Sequence, residues 1–171
     1  MAARRKRAAK THAGGAKAPA SKRGGNKERI IEALNTVLEL ELAGVVRYLH
    51  YSLMVFGHAR IPIVKWMRDE ATQSADHAAQ AGEHVTALGG HPSLKIGKLL
   101  ETHKHDISQI LLEALEHERE GVAQYKKLLS LVQGKDVCLE EYARSLIHEE
   151  TMHISEIEKM LRRPGDLEPA L

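Results

Sequence analysis

Glu150-Thr151-Met152-His153 sets a carboxylate and an imidazole three residues apart. On a helix that spacing puts both on one side, where they can bind one cation together. Similar groups interrupt other apolar stripes. Glu41 stands between Leu38 and Val45, and Glu118 between Ala114 and Val122. Glu70, Ser74, His77 and His84 follow one line at steps of four, three and seven residues. An uncompensated carboxylate in an apolar core costs several kcal/mol. Three inward carboxylates (Glu41, Glu118, Glu150) and two inward imidazoles (His77, His153) therefore need a shared cation. Carboxylate oxygen with imidazole nitrogen suits iron, manganese or zinc, and a carboxylate-rich set favours Fe(II) or Mn(II) over copper. Any one of these groups alone reads as a misphased surface residue. Four helices each supplying one near its middle do not.

The elements that must position them are helices. Leu34, Leu38, Val45, Tyr48 and Ser52 recur at helical spacing and predict a first helix near 27–56, ended at Gly57. A second stripe, Ile63, Met67, Ala81 and Leu88, stops at Gly89-Gly90-His91-Pro92. Residues 89–105 are a connection, with a short helix expected around 94–100. Asp106 caps a third helix carrying Ile110, Leu111, Ala114, Val122, Tyr125 and Leu129, which Gly134 breaks. Asp136 caps a fourth with Leu139, Tyr142, Leu146, Ile157 and Met160 inward, ended at Pro164-Gly165. Short, long and short joins imply two antiparallel pairs with a crossover between them, an all-α four-helix bundle. Trp66 and Met67 are expected in the core or at a subunit contact.

The 171 residues suffice for one domain, and 43% hydrophobic content supports a packed core. Aromatics at 4% disfavour an all-β sandwich. The single Cys138 excludes an internal disulfide framework and a cysteine-based metal site; it is expected to be buried and inert. No apolar run is long enough to span a membrane, and a cytoplasmic protein is expected. Charge is unevenly spread. Residues 1–27 hold nine of the 25 Lys and Arg and no acid, leaving sixteen bases against 23 acids, a net of −7, in the rest. The domains expected are a disordered basic arm (1–26), a bundle (27–163) and a short tail (164–171). In the arm, Arg4, Arg5, Lys6, Arg7, Lys10, Lys17, Lys22 and Arg23 could neutralise DNA phosphates without reading sequence. His50, His58, His91, His103, His105, His117 and His148 are expected at the surface or in secondary sites, and His84 as an auxiliary or entry-site ligand.

Glu41-Leu42-Ala43 with Tyr48, Asp69-Glu70 leading to His77, Leu115-Glu116-His117-Glu118, and His148-Glu149-Glu150-Thr151-Met152-His153 resemble the four helices of bacterioferritin. The likeness spans roughly residues 28–162 and is specific for ferritin-like di-iron proteins. It implies that Glu41 and Glu118 are terminal iron ligands, His77 and His153 one imidazole per metal, and Glu150 a bridge, with Tyr48 beside the site. Glu83-His84-Val85-Thr86-Ala87-Leu88-Gly89-Gly90-His91-Pro92 resembles the Dps mini-ferritins. Their intersubunit site needs an Asp where Ala79 stands, which favours a centre inside the bundle. Residues 164–171 are too few for the fifth helix of 24-subunit cages, so the likeness implies a homo-oligomeric shell, a dodecamer before a 24-mer. One such subgroup has a cysteine pair near its metals, which a lone Cys138 does not match.

Two departures stand out. The family's second helix has Glu where this chain has Ser74, so one bridging carboxylate is missing. Glu70 shares that face but lies about 10 Å along the axis from His77, and is not expected to replace it. Ala75 stands where haem-bearing relatives place a methionine, so haem is not expected. The resemblance implies a ferroxidase that oxidises Fe(II) with peroxide or O2, stores the product and protects DNA. The alternatives are a DNA-binding architectural protein with an impaired metal site, and a di-iron redox enzyme acting on a small substrate.

Overall fold

The structure, a computed structural model, describes residues 22–168. It is all-α: α1 (Lys22–Met54), α2 (Arg60–Ala87), α3 (Ile107–Val132) and α4 (Val137–Leu161). The two expected aspartate caps form. Asp106 accepts from the Gln109 amide at 3.2 Å and Asp136 from the Leu139 amide at 3.1 Å. No helix among the described residues is long and apolar enough to cross a membrane.

Two helix starts differ from expectation. α1 begins at Lys22, inside the segment expected to be a disordered arm. Gly24 and Gly25 are poor helix formers, so nothing local marks this start; the turn propagates from the packed helix beginning at Ile30. Lys22 and Arg23 are therefore helical, whereas Arg4, Arg5, Lys6, Arg7, Lys10 and Lys17 lie outside the described residues. α2 begins at Arg60 rather than Ile63. Pro62 does not break it, because a first-turn residue needs no amide hydrogen. The Arg60 guanidinium closes the preceding corner by donating to the Val55 carbonyl at the end of α1.

The pairing is antiparallel throughout. α1 and α3 meet at Glu41–Tyr125 and at Tyr48–Glu118, so rising numbers on one oppose falling numbers on the other. α2 and α4 meet in the same opposed sense at His77–Glu150 and Glu70–His153. Two apolar clusters fill the bundle. One gathers Leu34, Val37, Val85, Leu128 and Leu146; the other gathers Met67, Val55, Ile110, Leu115 and Ile157. The carboxylates and histidines lie between them in every helix. Met67 is fully buried in the second cluster and Trp66 packs beside it.

The crossover runs back along α1. The Asn35 side chain donates to the His91 carbonyl and accepts from the Ser93 amide. Ser93 donates to Glu39, and the Gly97 amide donates to the Glu39 carbonyl at 2.7 Å. His50 meets Glu101 at 2.5 Å. The segment thus follows α1 from Asn35 to His50, about 22 Å at the helical rise. Ten residues from His91 to Glu101 would cover only about 15 Å as a helix. The short helix expected around 94–100 is accordingly absent, and the chain there is open. Gly97 is needed at the closest approach: a Cβ there would stand 2.9 Å from the Glu39 carbonyl oxygen, a backbone atom that cannot swing away. Gly97→Ala should destabilise the protein by about 1–3 kcal/mol, read as a lower midpoint in urea unfolding. An unchanged midpoint would mean that the crossover is not seated this tightly.

Candidate metal centre

Two triads of potential ligands form at the middle of the bundle, Glu41–His77–Glu150 and Glu118–Glu150–His153, the atoms of each within 4.8 Å of one another. Glu150 belongs to both. Its Oε1 lies 3.0 Å from His77 Nδ1 and its Oε2 lies 3.3 Å from His153 Nδ1. Glu41 Oε1 approaches His77 Nδ1 at 3.6 Å, and Glu118 Oε2 approaches His153 Nδ1 at 4.0 Å. One carboxylate on α4 thereby spans two half-sites, each completed by a second carboxylate and one imidazole.

Buried tyrosines hold the outer carboxylates. Tyr48 on α1 donates to Glu118 on α3, and Tyr125 on α3 donates to Glu41 on α1 at 2.8 Å. Tyr48 was expected beside the site, but Tyr125 reads from sequence only as a core residue. Its signal is a repeat: Glu41 and Tyr48 are seven apart, as are Glu118 and Tyr125. Antiparallel helices exchange such partners, each tyrosine reaching the other helix's carboxylate.

Glu70, not expected to replace the missing carboxylate, lies close to His153. It is buried, and its Oε2 lies 3.5 Å from His153 Nδ1. The distance along α2 from His77 is real, but the second half-site extends in that direction. Because α4 runs against α2, His153 lies toward the start of α2, where Glu70 is. Ser74 is buried beside Gly44, where a Cβ on Gly44 would come within 2.7 Å of its Oγ and 2.8 Å of His117 Nε2. A glycine inside α1 allows this close approach.

Three other residues differ from expectation. His117 is not at the surface: it is buried, with Nδ1 3.1 Å from the Arg47 guanidinium. Arg47 is itself fixed by Tyr51 Oη at 3.0 Å and the Glu113 carbonyl at 2.8 Å. Its phase opposite Arg47 depends on the α1–α3 stagger, which the sequence alone does not specify. Cys138 is exposed, not buried, because in the first turn of α4 it shares the outward side with exposed Val137 while Leu139 turns into the core. His84 does not reach the centre and packs on Tyr142, ring centroids 4.4 Å apart.

The Ferritin-like domain family matches residues 31–164. The chain belongs to the ferritin-like family. Among solved structures it is similar to a ferritin-like, diiron-carboxylate protein from Bacillus anthracis strain Ames, at 24% identity and a TM-score of 0.76, covering 80% of this chain and 98% of that one. It is similar to a dodecameric thioferritin, the bacterioferritin-related protein of Bacteroides fragilis, at 21% identity and a TM-score of 0.71, covering 79% and 85%. It also resembles the bacterioferritin of Desulfovibrio desulfuricans, at 26% identity and a TM-score of 0.70, covering 83% of each chain. No curated protein matches the chain.

The electrostatics of this ferritin-like centre fit a divalent cation. Burial, reinforced by the Glu150 charge, pushes the Glu41 and Glu118 carboxyls above the usual carboxylate range. Burial raises Glu70 too, partly offset by His153. Burial also opposes ionising Glu150, but His153 and His77 outweigh it and hold that carboxyl well below its ordinary value. Burial disfavours the charged His77 ring, yet its contacts with Glu150 and Glu41 push it up to about 10. His153 rises for the same reason against Glu150 and Glu70. His117, buried and facing the Arg47 charge, falls to about 4 and stays neutral. The pocket thus holds protons at neutral pH where a cation would sit. Ligands bind metal deprotonated. Since His77 keeps its proton up to about 10, loading should release protons and tighten as pH rises from 6 to 9. Proton release into weak buffer with a pH indicator checks this; affinity that is flat with pH would contradict the assignment.

Proposed function

We propose that this protein is a ferroxidase and iron store, with Glu41, His77, Glu118, Glu150 and His153 holding two irons inside each bundle. The observation that carries the reading is Glu150, whose two oxygens face different histidines in two triads. Glu41 and Glu118 serve as outer ligands, with Tyr125 and Tyr48 fixing their rotamers. Glu70 supplies the second half-site with a carboxylate that Ser74 cannot. Two Fe(II) each lose one electron, and one hydrogen peroxide takes both with two protons and leaves as two waters; O2 can serve instead, taking the same two electrons and two protons to leave as hydrogen peroxide. Carboxylate oxygens favour the ferric state, which drives the electrons out. The ferric product is then stored.

Assembly has support on the surface. Val46, Leu49 and Leu53 form an exposed apolar stripe on α1 that exposed Phe56 continues just past its end, with exposed Leu99 of the crossover beside Val46. Large apolar patches mark interaction sites. We infer a homo-oligomeric shell, with the dodecamer preferred. Haem has no part in this reading, since exposed Ala75 offers no ligand. The basic segment before α1 would hold DNA without sequence preference and place iron oxidation in the cytoplasm on the nucleoid, where removing Fe(II) spares DNA from peroxide. A purely architectural role rests on Ser74, and Glu70 weakens that argument.

Anaerobic Fe(II) calorimetry should count two ions per chain, one for each triad. Glu150→Gln should weaken both. Glu70→Gln should weaken one by roughly 10–100-fold and leave the other. No binding to the wild-type chain would overturn the enzyme reading. Deleting residues 1–21 removes six Lys and Arg but leaves α1 whole. It should weaken salt-sensitive DNA retention in a gel shift by about tenfold or more; an equal shift by the truncated chain would refute the DNA assignment.

A further inference from the structure

A second group of ligands lies on the outside of the bundle, on the crossover: Glu101, His103 and His105, with ligand atoms within 4.8 Å of one another. The crossover supplies all three, and α1 fixes the first. Glu101 Oε1 faces His103 Nδ1 at 3.7 Å and His105 Nε2 at 3.6 Å. Its Oε2 is held by His50 Nε2 at 2.5 Å from α1. These edges are close to the ~3.4 Å between donors that a tetrahedral ion at about 2.1 Å would need.

The backbone is arranged to the same end. His103 has φ +58°, in the left-handed region that residues other than glycine seldom occupy. That turn folds the chain back, so that the His103 amide donates to Glu101 Oε1 at 2.6 Å while its ring meets the same oxygen. The amide and the neighbouring imidazoles hold the exposed Glu101 carboxyl below its usual value, and so ionised.

We propose that Glu101, His103 and His105 bind a divalent transition-metal ion on the crossover, with His50 orienting the carboxylate. Two imidazole nitrogens and one carboxylate oxygen form a borderline donor set that suits Zn(II) or a similar ion, and three protein ligands leave a position open to solvent. An ion there would tie the crossover to α1 near the C-terminal end of that helix, at the edge of the exposed apolar stripe. This site is independent of the buried centre and of the iron reading.

The test is the difference in Zn(II) count between full-length chains, measured by competition with a chromophoric chelator. His103→Ala/His105→Ala should bind one Zn(II) per chain fewer than wild type. The mutated side chains are exposed and the buried triads are untouched, so the shared centre cancels in the comparison. His50→Ala should keep the count but weaken that one ion about tenfold, as loss of an orienting partner does. Co(II) should give visible bands of low-coordinate N/O ligation in wild type that fade in the double variant. An equal Zn(II) count in wild type and double variant would overturn the proposal.

Discussion

Glu41, Glu70, Glu118 and Glu150 are all buried around one point between two apolar clusters. Like charges this close in a low-dielectric interior cannot all stay ionised without compensation. Much of the structure serves that constraint. His77 and His153 divide the charge of Glu150, and Tyr48 and Tyr125 each satisfy one outer carboxylate. Arg47 is kept outside this ring, facing neutral His117 instead of a carboxylate. Had that permanent cation pointed inward, it would neutralise the site and compete with a metal. The bundle therefore tolerates its polar layer by building a place for mobile positive charge, protons or metal ions.

Antiparallel packing turns this layer into two linked half-sites. α1 and α3 each provide a glutamate and, two turns later, a tyrosine. Because the two helices run oppositely, the tyrosine of one meets the glutamate of the other. The same geometry joins α2 and α4, where His77 meets Glu150 and Glu70 meets His153. Ser74 departs from the expected pattern, and buried Glu70, one turn away on the same face, approaches His153.

The crossover shows a different economy. It has no helix of its own because it must cover more length per residue than a helix allows. It is held instead by a few specific contacts along α1, with the Gly97 backbone against Glu39 at its middle and Glu101 against His50 at its far end. The middle and the far end of the long connection are thereby registered on the helix that also carries Glu41.

Much was legible in the sequence because it is local. Helical phase repeats every 3.6 residues, so Glu41, Glu118, Glu150, His77 and His153 could be placed inward by counting from their apolar neighbours. Asp106 and Asp136 could be read as caps because a cap bonds an amide only a few residues away. What one helix meets on another is not local. It depends on rotation and stagger, which the side chains of both helices settle together when they pack. That is why Glu70, measured only along its own axis, looked too distant, why Tyr125 looked like plain core, and why His117 looked like surface. The start of α1 was hidden for a related reason, since packing beyond Ile30 extends a helix through residues that would not begin one. The sequence by itself determined which faces carry the carboxylates and imidazoles. Only the tertiary structure decided which carboxylate faces which imidazole, because that choice is made across the bundle by antiparallel packing.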